Sequence, residues 1–130
     1  MSKVQMIGYK VSDLSIVNHY ENTQRIQTKS SCSYSVTFTK NGICIGTFKV
    51  DMEDSEKSGK FAVHAVVSGF FRYPDDEKQE TVHVLTHQAL FPYVRALITT
   101  VTVNAGMAPI ILPEVDPMEQ GIYRINKNPQ

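Results

Sequence analysis

The sequence has no tryptophan, only two cysteines in 130 residues, and no excess of charge, with thirteen basic residues against thirteen acidic ones. Two cysteines are too few for a disulfide scaffold, and a domain of this length buries roughly two-thirds of its unfolded surface without one. Balanced charge offers no basic face for phosphates, which excludes nucleic acid as the main partner. No apolar run approaches the roughly 20 residues of a membrane span, so membrane insertion is not expected. Residues 1–6 hold one lysine and no apolar stretch or small-residue cleavage site behind it, which predicts a cytoplasmic chain. Gly-rich phosphate loops, GxSxG elbows and Cys/His pairs at metal spacing are missing, and no serine has an activating neighbour. Nothing in the residues demands an enzyme or a cofactor. Hydrophobic residues make up 42% and charged ones 20%, the balance of an ordinary globular domain. With no repeat or linker, residues 1–130 read as one domain.

Periodicity gives the elements. Residues 4–17 alternate loosely and slip phase around Tyr9 and Lys10, as a strand with a bulge or bend does. Residues 18–31 are polar and aperiodic, a loop. Residues 33–39 alternate cleanly, with Tyr34, Val36 and Phe38 on one face and hydroxyls on the other. Residues 43–50 answer them after Lys40, Asn41 and Gly42. A three-residue loop pairs Cys44 with Phe38 and Cys32 with Val50; a two-residue loop pairs Cys44 with Thr39 and turns the apolar row over. Burial favours the first register, and neither brings the thiols together. Residues 51–59 form a charged turn, and residues 61–73 are apolar on both faces, a central strand. The four strands suggest an antiparallel meander.

Residues 79–88 then read as a helix, and Pro92 suits the first turn of a second one that runs to Asn104 and stops at Gly106. Residues 98–103 resist assignment: Val94, Leu97, Ile98 and Val101 have helical spacing, yet six β-branched residues in a row favour a strand. Residues 107–117 are apolar and carry Pro109, Pro113 and Pro117, so they are extended and not a central strand. A short helix is expected over residues 118–125.

Candidate chemistry is sparse. His83 and His87 stand one helical turn apart, but a zinc site of the HExxH type needs a glutamate directly after the first histidine, and here it is Val84. Asp51, Glu53, Asp54 and Glu56 resemble an oxygen-rich loop, yet an EF-hand counted from Asp51 would need glycine at Glu56 and glutamate at Ala62. Both read as structural, and no metal is expected. The unusual feature is apolar material near the surface: Phe70, Phe71, Tyr73, Phe91 and Tyr93, then Met107, Ile110, Ile111, Leu112 and Met118. Most is core; part suits a binding groove or an oligomer interface.

The stretch Leu90-Phe91-Pro92-Tyr93-Val94-Arg95, followed by Ile98-Thr99, Gly106 and Pro109, resembles the signature of SecB, the bacterial protein-export chaperone family. There an LFPYAR-type segment opens a long helix, and a glycine ends it before a proline-containing crossover. Lys10 to Ser15 resembles the family's first strand, and Ser68-Gly69-Phe70-Phe71 its fourth. The resemblance implies an α+β fold: a four-stranded antiparallel sheet packed with a long helix and a short C-terminal helix, assembled as a dimer of dimers. It makes residues 98–103 helical.

The resemblance further implies an ATP-independent holdase without cofactors, which binds unfolded preproteins in an apolar groove. The groove residues would be Met107, Ile110, Ile111, Leu112 and Val115 from the crossover, with Tyr34, Phe38 and Phe71 contributing. Pro92, Tyr93, Val94, Leu97, Ile98 and Val101 would form the homotetramer interface together with the first strand. Exposed backbone at a groove edge would add strand-like hydrogen bonds. Asp13 matches an acidic position through which such chaperones meet the SecA motor, but the position four later is Val17, the chain is neutral, and its end is short and basic. The resemblance therefore carries the chaperone fold further than SecA docking. The alternatives are a dedicated chaperone of a toxin–antitoxin system's antitoxin, and a small-ligand-binding protein or enzyme using His64, His83, His87 and Arg95.

Overall fold

Alternation builds the sheet. In the computed structural model, which describes residues 4–21, 26–113 and the backbone of 125–127, the strands are β1 (Gln5–Asn18), β2 (Thr28–Phe38), β3 (Ile43–Asp54), β4 (Phe61–Arg72) and β5 (Ile125–Lys127), with one helix, α1 (Gln79–Asn104). Tyr34, Val36 and Phe38, then Cys44, Phe48, Val50 and Met52, then Phe61, Val63, Ala65, Val67 and Phe71 lie on one face, all buried. Phe38 pairs with Cys44 and Cys32 with Val50, the register of the three-residue loop. Both Asn41 and Gly42 are left-handed at its tip (φ 69° and 71°), and Gly42 accepts a hydrogen bond from Tyr73 N at 2.8 Å. Both cysteines are free, and burial pushes the Cys44 thiol up to about 12.

The sheet order is β1-β4-β3-β2-β5. β4 is central, between β1 and β3, as its two apolar faces require. The meander holds only for β2 to β4. β1 lies beside β4 because its own apolar row matches that strand, and the connection after Asn18 must cross beyond the β3–β4 turn. That crossing is pinned: Tyr20 OH donates to Asp54 at 3.2 Å, and Ser58 donates to the same oxygen through N (3.0 Å) and Oγ (2.8 Å). The Ser58 backbone N–H, ahead of the hydroxyls, holds the Asp54 carboxyl below the ordinary carboxylate range. β3 consequently runs through the charged segment to Asp54, with Met52 and Asp54 turned inward, and β2 starts at Thr28, inside the expected loop. β1 shifts register at Met6/Gly8 and at Val11/Asp13, on either side of the phase slip.

A single 26-residue helix replaces the two expected, with Pro92 inside it. Proline removes one helical hydrogen bond and disfavours a helix interior. Here Leu90, Phe91, Val94 and Ile98, packed on the sheet before and after it, hold the turn together. The same packing overrides the β-branched run, so residues 98–103 are helical. The expected terminal helix is not seen at Ile125, which pairs in parallel with Val36; residues 118–124 lie outside the described residues.

Two glycines set the seam between helix and sheet. Gly46 and Gly69 are cross-strand partners on the helix side. A Cβ on Gly46 would collide with the Tyr34 hydroxyl, and one on Gly69 would stand 2.8 Å from the Phe71 ring and 3.1 Å from Leu90. Over Gly46 the Tyr34 hydroxyl donates to Thr86 of α1 at 2.6 Å, and Thr86 donates to the His83 carbonyl at 3.1 Å. His83 and His87 meet the Tyr34 ring edge-on, each at 5.1 Å, and His87 stacks on Phe91. Burial lowers the His83 pKa, so its neutral form belongs to the folded state.

Gly46→Ala should cost about 1–3 kcal/mol through forced displacement of Tyr34, read as a lower urea midpoint with unchanged slope. His83 gives a pH test. Its folded pKa lies below the unfolded value near 6.5, so its share of stability is complete above that pH and lost as pH falls below it. The midpoint loss between pH 7.5 and 5.5 should therefore be smaller in His83→Leu than in the wild type; equal losses would contradict this origin.

Candidate functional site

α1 covers β2 to β4 and leaves the matching row of β1 open. Tyr9, Val11 and Leu14 stand on the helix side of the sheet, yet remain 46%, 40% and 43% exposed. Beside them α1 presents Tyr93 and Val103, both exposed, and half-buried Leu97. The Tyr9 and Tyr93 rings approach to 4.7 Å at 36°. Between helix and strand lies a cavity of about 200 Å³ lined by Tyr9, Val11, Val67, Tyr93, Leu97 and Thr100. This strip is apolar, continuous and open on one side. Of the residues expected at an interface, Pro92, Tyr93, Leu97 and Val101 keep surface along α1, whereas Val94 and Ile98 are fully buried against the sheet. The β1 half of the strip was visible in sequence only as a loose alternation, because two bulges shift its phase.

The second apolar feature is the segment after α1. Gly106, left-handed at φ 85°, turns the chain back along the helix, and Asn18 of β1 donates to the Ala105 carbonyl at 2.9 Å. Thr99 then donates to the Ile110 carbonyl (2.9 Å), and Ile110 N donates to Thr102 Oγ1 (3.1 Å). Two threonines of the β-branched run thus act as clips for an extended chain. Met107 and Leu112 turn into the core, Ile110 is half-buried and Ile111 stands 69% exposed. Val115 lies outside the described residues. Tyr34, Phe38 and Phe71 are core residues beneath α1, with 1%, 5% and 0% exposure, and offer no open surface in the single chain.

The sheet face opposite α1 is mixed. His64 of β4 lies between two carboxylates, Asp51 of β3 (Nδ1–Oδ1 2.6 Å) and Asp13 of β1 (Nε2–Oδ2 3.5 Å). The hydrogen bond to Asp51 raises the His64 pKa, and the charges of Asp51 and Asp13 add to it. Asp13 is thus exposed but engaged. The four residues of the ligand-binding alternative do not converge: His64 is on this face, His83 and His87 are under α1, and Arg95 lies over the Phe91 ring at 5.5 Å. Among the described residues no group of three or more His, Cys, Asp or Glu is arranged to hold a metal ion, and no helix is long and apolar enough to cross a membrane.

Comparison with known proteins agrees with this architecture. A SecB-like chaperone of Mycobacterium tuberculosis, Rv1957, solved in complex with a ChAD peptide from the HigA1 antitoxin, superposes with a TM-score of 0.69 at 12% identity, over 87% of this chain and 88% of that one. At that identity the likeness is one of fold. An uncharacterized protein of Methanocaldococcus jannaschii, MJ0357, is 29% identical over 103 residues, which cover 74% of this chain and 66% of that protein. The chain thus spans slightly less than two-thirds of this curated relative's length. The profile of the family described as "Preprotein translocase subunit SecB" matches residues 11–128, which takes in β1 from Val11 onward, β2 to β4, α1 and the crossover. The chain belongs to the SecB family.

Proposed function

We propose that the protein is a chaperone that binds unfolded polypeptide without ATP and holds it soluble. The family is not one of enzymes, and this reading has no catalytic step and no cofactor. The observation that carries it is the exposed, clipped crossover on a SecB fold: Ile111 projects into solvent while its backbone neighbours are fastened to Thr99 and Thr102. Such a wall rewards any chain with apolar side chains to bury, at about 25 cal/mol per Å², and a folded protein has few to offer. Half-buried Ile110 continues the wall, Met107 and Leu112 anchor it from the core side, and Tyr34, Phe38 and Phe71 lie in the same core beneath α1.

The strip of Tyr9, Val11, Leu14, Tyr93 and Leu97 is the second half of the reading. Its exposed aromatic and aliphatic side chains, adjacent on strand and helix, suit contact between copies, as in a cytoplasmic dimer of dimers. Two client classes are in view. Preproteins for export are one; an antitoxin is the other, and the fold likeness to a chaperone solved with an antitoxin peptide supports it. The neutral net charge and the ion pair that engages Asp13 speak for the antitoxin and against a SecA partner.

Aggregation of a chemically unfolded protein, followed by light scattering, tests the reading. Suppression without ATP at about one tetramer per client is expected, and no suppression at any ratio contradicts a general holdase. Ile111→Ser should weaken client binding about three- to tenfold, from the loss of most of one large side chain's burial, with assembly and urea midpoint unchanged. Leu112→Ser differs, because Leu112 is buried: it should cost about 2–5 kcal/mol of stability. Leu97→Asp should give dimers or monomers in light scattering; a persistent tetramer would contradict the assembly.

A further inference from the structure

β1 is an outer strand of the sheet, hydrogen-bonded to β4 alone among the described residues. Its ladder is broken by two register shifts, the second immediately before Asp13, and a shift leaves backbone unpaired. Packing compensates little, since Tyr9, Val11 and Leu14 on its inner row stay 40% or more exposed. Side chains tie it down instead: Asn18 to the Ala105 carbonyl (2.9 Å), Ser12 to the Ser68 hydroxyl (3.2 Å), and Asp13 to His64. The last tie continues beyond its partner. His64 stands on β4, the middle of three strands, with Nε2 3.5 Å from Asp13 Oδ2 on β1 and Nδ1 2.6 Å from Asp51 Oδ1 on β3. A neutral imidazole has one N–H and turns a lone pair toward the second carboxylate, whereas the imidazolium turns an N–H toward each. Loss of the proton also leaves the two carboxylates facing each other across β4, two strand spacings or roughly 10 Å apart. Few other charges face this site: Lys49 of β3 opposes the imidazolium, Lys10 of β1 stands opposite Ser68, and Lys29, Glu53 and Lys57 line the open cavity beside it.

We propose that His64 is a charge clamp on β1: its imidazolium ties the strand across β4 to β3 and holds the β1 row that faces other copies, and loss of its proton loosens that row. The effect on assembly rests on reading the β1–α1 strip as a contact between copies; the clamp stands without it. The hydrogen bond to Asp51, then the charges of Asp51 and Asp13, raise the His64 pKa against desolvation and the charge of Lys49. The folded value lies above the unfolded one near 6.5, so the clamp is complete below that pH and is lost as pH rises through the folded value. All three side chains are more than a third exposed, which keeps the effect modest and sensitive to salt. His83 shifts stability in the opposite sense with pH, so the clamp is read from the local opening of β1 and not from a global midpoint.

Hydrogen–deuterium exchange of the full chain at pH 6.0 and 8.5, corrected for the intrinsic rates, is the test. In the wild type, protection of the β1 amides from Tyr9 to Val17, measured against those of β3, should fall about two- to tenfold between the two pH values. His64→Gln, neutral throughout, should show the lower β1 protection at both. Asp13→Asn should lower the pH at which the His64 ring titrates in its proton NMR resonance. A wild type whose β1 protection does not change with pH, or a fall that persists in His64→Gln, overturns the clamp. Light scattering on dilution reads the consequence: wild-type assembly should weaken about two- to tenfold at pH 8.5, and that of His64→Gln should not change. If β1 loosens while assembly holds, the link to contact between copies is overturned. If the chain is monomeric at both pH values, the reading of the strip falls, and the exchange result alone decides the clamp.

Discussion

The seam between α1 and the sheet is the constraint on which the rest of the molecule depends. Gly46 and Gly69 lower the sheet surface at its centre, Tyr34 fills the space above one of them, and its hydroxyl reaches Thr86. A buried hydroxyl without a partner costs about 1–3 kcal/mol, so this bond fixes where the helix sits as well as that it sits. Seated there, α1 covers β2, β3 and β4 and leaves the inner row of β1 in the open. Its C-terminus reaches Asn18, and Gly106 sends the crossover back along the helix. Both apolar surfaces therefore follow from one packing arrangement.

Much of the sheet was legible in the residues because strand periodicity and burial speak together. The hairpin register at Phe38 and Cys44 followed from keeping Tyr34, Val36 and Phe38 inside, and the apolar character of both faces of residues 61–73 marked β4 as central. The phase slip at Tyr9 and Lys10 marked the two bulges that flank it. Other features depend on tertiary contacts that no local pattern carries. Pro92 reads as a helix start in isolation and lies inside α1 only because Leu90, Phe91, Val94 and Ile98 are packed. The position of β1 beside β4, and of β5 beside β2, is a choice between edges that periodicity cannot make.

The candidate site was legible by composition more than by geometry. Apolar residues in the proline-ruled segment were recognisable, but their division was not: Met107 and Leu112 are held in the core and Ile111 is left outside, because Thr99 and Thr102 clip the backbone between them. The aromatic residues Tyr34, Phe38 and Phe71 belong to the floor. His83 and His87, at a spacing that metals use, line the aromatic seam under α1. The two apolar surfaces also differ in kind. The β1–α1 strip is built on a strand and a helix, which suits the proposed contact between copies. The crossover is a short extended run fastened to α1 with Ile111 left exposed, which suits the proposed capture of an extended chain.

That division is the central claim, and hydrogen–deuterium exchange with and without a permanently unfolded protein tests it most directly. Added protection is predicted along the crossover around Ile110 and Ile111, with the Tyr9–Tyr93 strip unchanged because the proposed assembly covers it with other copies. Protection that gathers on β1 and α1 at Tyr9, Val11 and Tyr93 while the crossover stays unchanged would contradict the account.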